Sequence, residues 1–428
     1  MALCRKHIYC CIFTNLYLFD KKVGKIKMKV LARDGGTPFK QKPFPNWPIY
    51  DEREINLVTE VVKSQNWWRV TGSKVKEFEK KFAEFQGCSY CLGVTNGTSA
   101  IELALSVFGI GEGDEVIIPG MTFISTGLAV TNCNATPVLV DIDPDTLCML
   151  PEKFEQAITP RTKAVIPVHM AGHGCRMEEI CEIAKKNGII VIEDAAHGHG
   201  GEWKNKRLGS FGDVGIFSFQ NGKLMTCGEG GAMVTNNKDI YEKAYVIQDV
   251  GRPKNDLIYE HVIRGANYRM NEFQAALLLA QMERVDDLNK LRDKHATELH
   301  KLFADVKGIT PQGREEGATT FTHYMYMFYY DKSFFSGLPR EEFVEYLKAE
   351  GIPACVCFPV LSDTKFFAEN DFNGRNVNYD KKKEHDLTNS KKAGENIIWL
   401  HHRTLEGDEE DLREIVGAVK KIQNEFNK

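Results

Sequence analysis

Short, almost continuous apolar runs alternate along the chain with longer stretches in which apolar residues recur every three or four positions. Residues 90–94, 115–118, 137–140, 164–168, 189–192 and 214–219 have the first pattern and read as buried strands. The second pattern predicts amphipathic helices. Ile55, Val58, Val61 and Val62 mark one over 52–63, and Val75, Phe78, Phe82 and Phe85 mark another over 74–85. Further helices are expected over 100–107, from Met121-Thr122-Phe123 onward, and over 177–186. Strand–helix repetition with strands this apolar implies a mostly parallel sheet covered on both faces, an α/β fold. Such sheets bind ligands beyond the carboxyl ends of their strands, where Thr98, Asp194 and Ser218 fall.

After Val234 the pattern turns helical, and the polar loop 264–270 opens a long helix from 271 to about 302. An aromatic strand over 324–330, a helix over 340–350, a strand over 353–358 and a helix over 409–426 make a second, smaller α/β unit. The polar stretch 370–389 reads as a mobile loop, and no internal repeat is found. The expected division is an N-terminal extension over 1–32, a large domain over 33–295 and a small C-terminal domain over 296–428. Within the extension, residues 8–19 are apolar behind Arg5, Lys6 and His7, too short to span a bilayer. A signal-peptide core is the other reading, but Lys21, Lys22 and Lys25 follow in place of a small-residue cleavage site. The stretch reads as an appended start, with the working protein beginning near Met28.

Composition narrows the classes. A chain of 428 residues with 43% hydrophobic and 27% charged side chains can bury a large core. A net charge of −4 without a Lys/Arg-rich block argues against nucleic acid as a partner. The twelve cysteines are scattered, and Cys88 and Cys91 form a C-x-x-C without a second pair at zinc spacing. Reduced, buried thiols in a cytoplasmic protein are expected, with neither a metal site nor a membrane segment.

The candidate chemistry centres on 217–231, where an apolar run gives way to a turn carrying Lys223 and then to Gly228-Glu229-Gly230-Gly231. The glycines leave room for a bulky group against the backbone. Upstream, Asp194 closes another apolar strand. A Schiff-base lysine and an aspartate able to keep a pyridine nitrogen protonated are what pyridoxal 5'-phosphate (PLP) chemistry requires of a protein. Asn96-Gly97-Thr98-Ser99 leads straight into a helix and could offer amides and hydroxyls to a phosphate, although Thr98 or Ser99 could equally be an N-cap.

Seven motifs in order resemble the DegT/StrS family. They are Asn96-Gly97-Thr98, Thr122-Phe123, Glu193-Asp194-Ala195-Ala196-His197, Phe217-Ser218-Phe219-Gln220, Lys223, Gly228-Glu229-Gly230-Gly231 and Asn267-Tyr268-Arg269-Met270. The resemblance covers the chain from about residue 33 onward and implies a PLP-dependent transferase of fold type I, like aspartate aminotransferase. It implies that Lys223 carries the cofactor and acts as the proton-transfer base, and that Asp194 pairs with the ring nitrogen. By the same likeness His197 lies near the ring's phenolic oxygen, and Phe123 stacks on the ring. Gly97, Thr98 and Ser218 would hold the phosphate, joined by Asn267 from a neighbouring subunit of a homodimer with shared active sites. Arg69, Arg252, His323, His401 and Arg403 are candidates for a donor carboxylate or a polyhydroxy acceptor. The activity implied is transfer of an amino group from L-glutamate or L-glutamine to a keto-sugar or keto-cyclitol. Trp67-Trp68-Arg69, Gly251-Arg252-Pro253 and Trp399-Leu400-His401-His402-Arg403 also resemble members that dehydrate and aromatise an aminodehydroshikimate, the alternative reaction. A non-catalytic PLP-fold protein fits less well, because Lys223 and Asp194 are both intact.

Overall fold

The computed structural model describes residues 31–254, 259–370, 372–379 and 386–428; the apolar stretch 8–19 lies outside the described residues. Helices α1 (Glu52–Ser64) and α2 (Lys74–Phe85) precede β1 (Tyr90–Val94). The chain continues through α3 (Gly97–Val107), β2 (Glu115–Pro119), α4 (Ile124–Asn132), β3 (Thr136–Val140), α5 (Pro151–Gln156), β4 (Thr162–Val165), α6 (Met177–Asn187) and β5 (Ile190–Asp194). A small hairpin, β6 (Glu202–Trp203) and β7 (Lys206–Arg207), leads to β8 (Val214–Ser218) and β9 (Gly231–Thr235). Next come α7 (Lys238–Gln248), α8 (Glu272–Phe303), β10 (Ile309–Pro311), β11 (Met325–Tyr330), α9 (Arg340–Ala349) and β12 (Ala354–Val356). The last elements are α10 (Lys365–Ala368), α11 (Thr388–Asn396), β13 (Ile397–His401) and α12 (Glu409–Phe426).

The large sheet has seven strands in the order β1-β9-β8-β5-β4-β2-β3, with only β9 antiparallel to its neighbours. Strand β9 runs antiparallel to β8, to which residues 219–230 join it without an intervening helix. Two reversals leave β1 parallel to β8 and β5, so all three carboxyl ends open on one edge. Gly231 permits this closeness: a Cβ there would sit 2.4 Å from the Asn96 backbone. On the sheet's flank, Phe82 of α2 meets Phe217 and Phe219 edge-on at 5.0 and 5.4 Å, so the helix period and the strand period interlock.

A four-stranded antiparallel sheet, ordered β10-β11-β13-β12, packs with α9 and α12 around Phe303, Phe328, Phe343 and Ile415. The runs read from the sequence as strands do not include the inner strand β13, nor β9. Both lie beside polar or glycine-rich residues that mask a strand run. Helix α4 starts one residue beyond Phe123, which adopts extended backbone (φ −63°, ψ 140°) as its N-cap residue. The stretch 370–389 is not simply a polar loop, because Phe372, Tyr379 and Leu387 pack into the large sheet's core. Among the described residues, no helix is long and apolar enough to cross a membrane.

Candidate active site

The carboxyl ends of β1, β5 and β8 open into a cavity of about 660 Å³. Gly97, Thr98, Phe123, Asp194, His197, Ser218 and Lys223 all line it. Asn96 caps α3, accepting from the Ser99 amide at 2.8 Å, so the first turn of the helix faces the cavity. A Cβ on Gly97 would come within 2.9 Å of the Ser218 Cβ, so only glycine lets this turn lie against β8. Thr98 donates from Oγ1 to Ser125 at 2.9 Å.

Asp194 is buried and accepts from Thr126 Oγ1 at 2.9 Å and from the Ala196 amide at 3.2 Å. Burial raises its pKa, against those hydrogen bonds and the charge of Lys223. A carboxylate in this position gains from a cationic N–H placed before it. Its neighbour Glu193 is fully buried and takes the amides of Gly209, Phe211 and Gly212, with His169 at 3.0 Å. That collar fixes the end of β5, and with it Asp194.

Lys223 is buried, and burial brings its pKa from 10.5 to about 8, with Asp194 opposing. A lysine so placed is a nucleophile near neutral pH. Its Nζ lies 4.4 Å from the centroid of the Tyr324 ring. His197 stacks on that ring's plane at 4.3 Å, and burial holds its pKa well below the usual value. The buried Nδ1 of His197 has no hydrogen-bond partner among the described residues. Phe123 is half exposed in the cavity, its ring set edge to face with Phe358 at 5.8 Å.

The cavity thus offers a helix N-terminus with hydroxyls, an exposed ring face, a carboxylate and a nucleophilic lysine. This donor set fits PLP: phosphate at Gly97, Thr98 and Ser218, ring nitrogen at Asp194, carbonyl carbon at Lys223.

The remaining candidates lie elsewhere. Arg69 is buried against Glu79 at 3.0 Å, and Arg252 pairs with Asp249 at 3.0 Å; both line a separate pocket of about 310 Å³. His323 stacks on Phe321 at 3.7 Å and faces Asp293, its pKa lowered by burial to about 4, so it does not reach the cavity of its own chain. The left-handed backbone at His323 (φ 50°) lies just before Tyr324, and it is Tyr324 that enters the cavity. His401 and Arg403 line a neighbouring pocket of about 360 Å³, divided from the main cavity by Trp399. Asn267 is exposed and pairs with Asp249, away from its own chain's cavity. Thr126, Tyr324, Phe358 and Trp399 are site residues that sequence reasoning did not single out. Trp399 carried a signal as part of a motif, and Tyr324 and Phe358 as ends of predicted strands.

A mostly parallel sheet with a lysine and an aspartate at its strand ends, joined to a small antiparallel sheet, is the architecture of PLP-dependent aminotransferases of fold type I. The chain belongs to the DegT/DnrJ/EryC1/StrS aminotransferase family, whose model matches residues 48–420; members of this family are PLP-dependent enzymes. It is 40% identical over 378 residues to the 3-amino-5-hydroxybenzoate synthase of Amycolatopsis mediterranei, covering 87% of this chain and 95% of that protein. It is 34% identical over 412 residues to the L-glutamine:2-deoxy-scyllo-inosose aminotransferase of Streptoalloteichus tenebrarius, covering 92% and 97%. Among solved structures it superposes on 3-amino-5-hydroxybenzoic acid synthase with a TM-score of 0.83 and 38% identity, covering 89% of this chain and all of that one.

Proposed function

We propose that the protein binds PLP at Lys223 and transfers an amino group from L-glutamate or L-glutamine to a cyclic keto-sugar or keto-cyclitol. The observation that carries this is the pairing in one cavity of a buried lysine of lowered pKa with a buried aspartate of raised pKa. The bound cofactor supplies an electron sink for the carbanion formed at the substrate. Asp194, held by Thr126, keeps the ring nitrogen protonated. The Lys223 amine would be the base that moves a proton at the substrate carbon. Thr98, Ser218 and the amides of α3 hold the phosphate, and Phe123 and His197 orient the ring. His401 and Arg403 are the candidates for a substrate carboxylate, beyond Trp399.

The active unit in this reading is a homodimer. Arg252 lies over Trp68 and Tyr259 at 6.0 and 5.7 Å, the Val262 amide bonds to Gly251, and Asn267 pairs with Asp249. Trp67, Trp68, Tyr259, Val262 and Ile263 are exposed on this face, which offers Asn267 and Arg252 to a second copy.

The 40% identity to 3-amino-5-hydroxybenzoate synthase favours a second reading, dehydration and aromatisation of an aminodehydroshikimate at the same site. Incubating the PLP-loaded protein with L-glutamate or L-glutamine separates the two. Conversion to the pyridoxamine form with 2-oxo acid release is expected for amino transfer. No conversion with any donor, together with aromatic product from an aminodehydroshikimate, overturns it.

A further inference from the structure

The turn that carries Lys223 is gripped from outside the large sheet. Its two preceding carbonyls each meet a ring nitrogen from a distant part of the chain. Trp47 donates from Nε1 to the Asn221 carbonyl at 2.7 Å. His402, in the turn after β13, places Nε2 3.3 Å from the Gly222 carbonyl. The two rings meet edge to face at 4.4 Å, so each fixes the other.

His402 is itself held by a buried ion network. Its Nδ1 lies 2.8 Å from Glu406 Oε1, and Arg292 of α8 donates to the same oxygen at 2.7 Å. The side chains of all three are at most 1% exposed. Burial brings the His402 pKa below its usual value, with Glu406 opposing. Glu406, beside the Arg292 guanidinium and the His402 ring, is held at about 2 and stays ionised. Both nitrogens of His402 face acceptors, Glu406 on one side and the Gly222 carbonyl on the other.

Arg292 also reaches the other walls of the cavity. Its Nε donates to the Thr322 carbonyl at 3.2 Å, and Thr322 Oγ1 donates to the His197 carbonyl at 2.8 Å. Arg292 bonds to Asn289 as well, and Asn289 donates to the His199 carbonyl at 2.8 Å. One triad thus ties together the Lys223 turn, the segment before Tyr324 and the loop bearing His197. Buried ion groups are poor stabilisers compared with packed apolar side chains, and Glu406 Oε2 is left without a hydrogen bond among the described residues. Fold stability alone is a weak reason for such a network at this place.

We infer that His402, supported by Glu406 and Arg292, is a positioning residue that, with Trp47, sets where the Lys223 amine stands in the cavity. The inference deepens the proposed function, since it gives the small sheet's edge control over the reactive lysine.

The test uses the full chain and three variants. Trp47→Phe and His402→Leu each remove one N–H donor, whereas His402→Gln keeps one. In ligand-free protein, hydrogen–deuterium exchange of peptides spanning 219–227 should speed up roughly tenfold in Trp47→Phe and His402→Leu. His402→Gln should stay near the parent, and peptides from β2 and β3 should not change. After PLP is added, the pH midpoint of the absorbance band of the Lys223-bound cofactor should move by about one unit in His402→Leu and return in His402→Gln. Unchanged exchange at 219–227 in both donor-removing variants overturns the inference. So does an equal rise across the whole sheet, or a Gln variant as impaired as the Leu variant. If His402→Leu does not fold, Trp47→Phe decides. If the parent protein binds no cofactor covalently, the proposed function falls, while the exchange data still judge the clamp.

Discussion

The two walls of the cavity are built differently. The wall formed by β1, β5 and β8 is polar and fixed by the backbone: Glu193 collects three amides, Asn96 caps α3, and Gly97 and Gly231 allow contacts that a Cβ would forbid. The opposite wall comes from the small sheet and its neighbours, as Tyr324, Met325, Phe358 and Trp399. These are large side chains with few polar anchors, among them the Trp399 indole on the Val356 carbonyl at 2.9 Å. The first wall suits chemistry common to a whole family, since its geometry allows little variation. The second suits discrimination among substrates, since apolar walls can be reshaped at small cost.

The largest test of this contrast is Lys223→Ala. Turnover should fall by roughly 10⁴-fold, and borohydride reduction followed by peptide mapping should find no pyridoxyl group at this turn, whereas the parent protein carries it on Lys223. A label on another lysine would move the site. Next, Asp194→Asn should lower turnover by roughly 10²–10³-fold while cofactor still binds. Near-parental kcat in the loaded variant would remove the aspartate from the chemistry.

The opposite wall should respond in kind rather than in degree. Phe358→Ala and Trp399→Ala should raise KM for the keto acceptor by about tenfold and leave cofactor capture unaltered. Equal losses in capture and KM would show that the walls are not separate. The smallest expected effect concerns pH. Burial places the Lys223 pKa at about 8, below the usual 10.5, and the neutral amine is the reactive form. Covalent capture of PLP should therefore accelerate as pH rises through 8, by roughly fourfold between about pH 7.5 and 9, and level off above that. A rate still climbing at pH 10 would mean that the lysine is not desolvated in solution.

The polar wall is legible in the amino-acid sequence. Asp194, Ser218 and Asn96-Gly97 each end an apolar run, and a strand's carboxyl end is a local feature that periodicity and turn residues report. The parallel sheet then follows, because strands this apolar must be covered on both faces. The opposite wall and the clamp are not legible there. His402 and Gly222 are 180 positions apart and Trp47 and Asn221 are 174 apart, and no local pattern encodes which distant ring nitrogen meets which carbonyl. The same limit explains why some candidates lie outside the cavity of their own chain. Arg69 and His323 have the side chains a substrate site needs, but tertiary packing set a carboxylate beside each, Glu79 and Asp293, within their own chain. The sequence alone determined the family through residues at strand ends, where local chemistry sets the position. Tertiary structure decided which side chains face the reactive lysine, because burial and pairing at long range depend on how the two sheets close on each other.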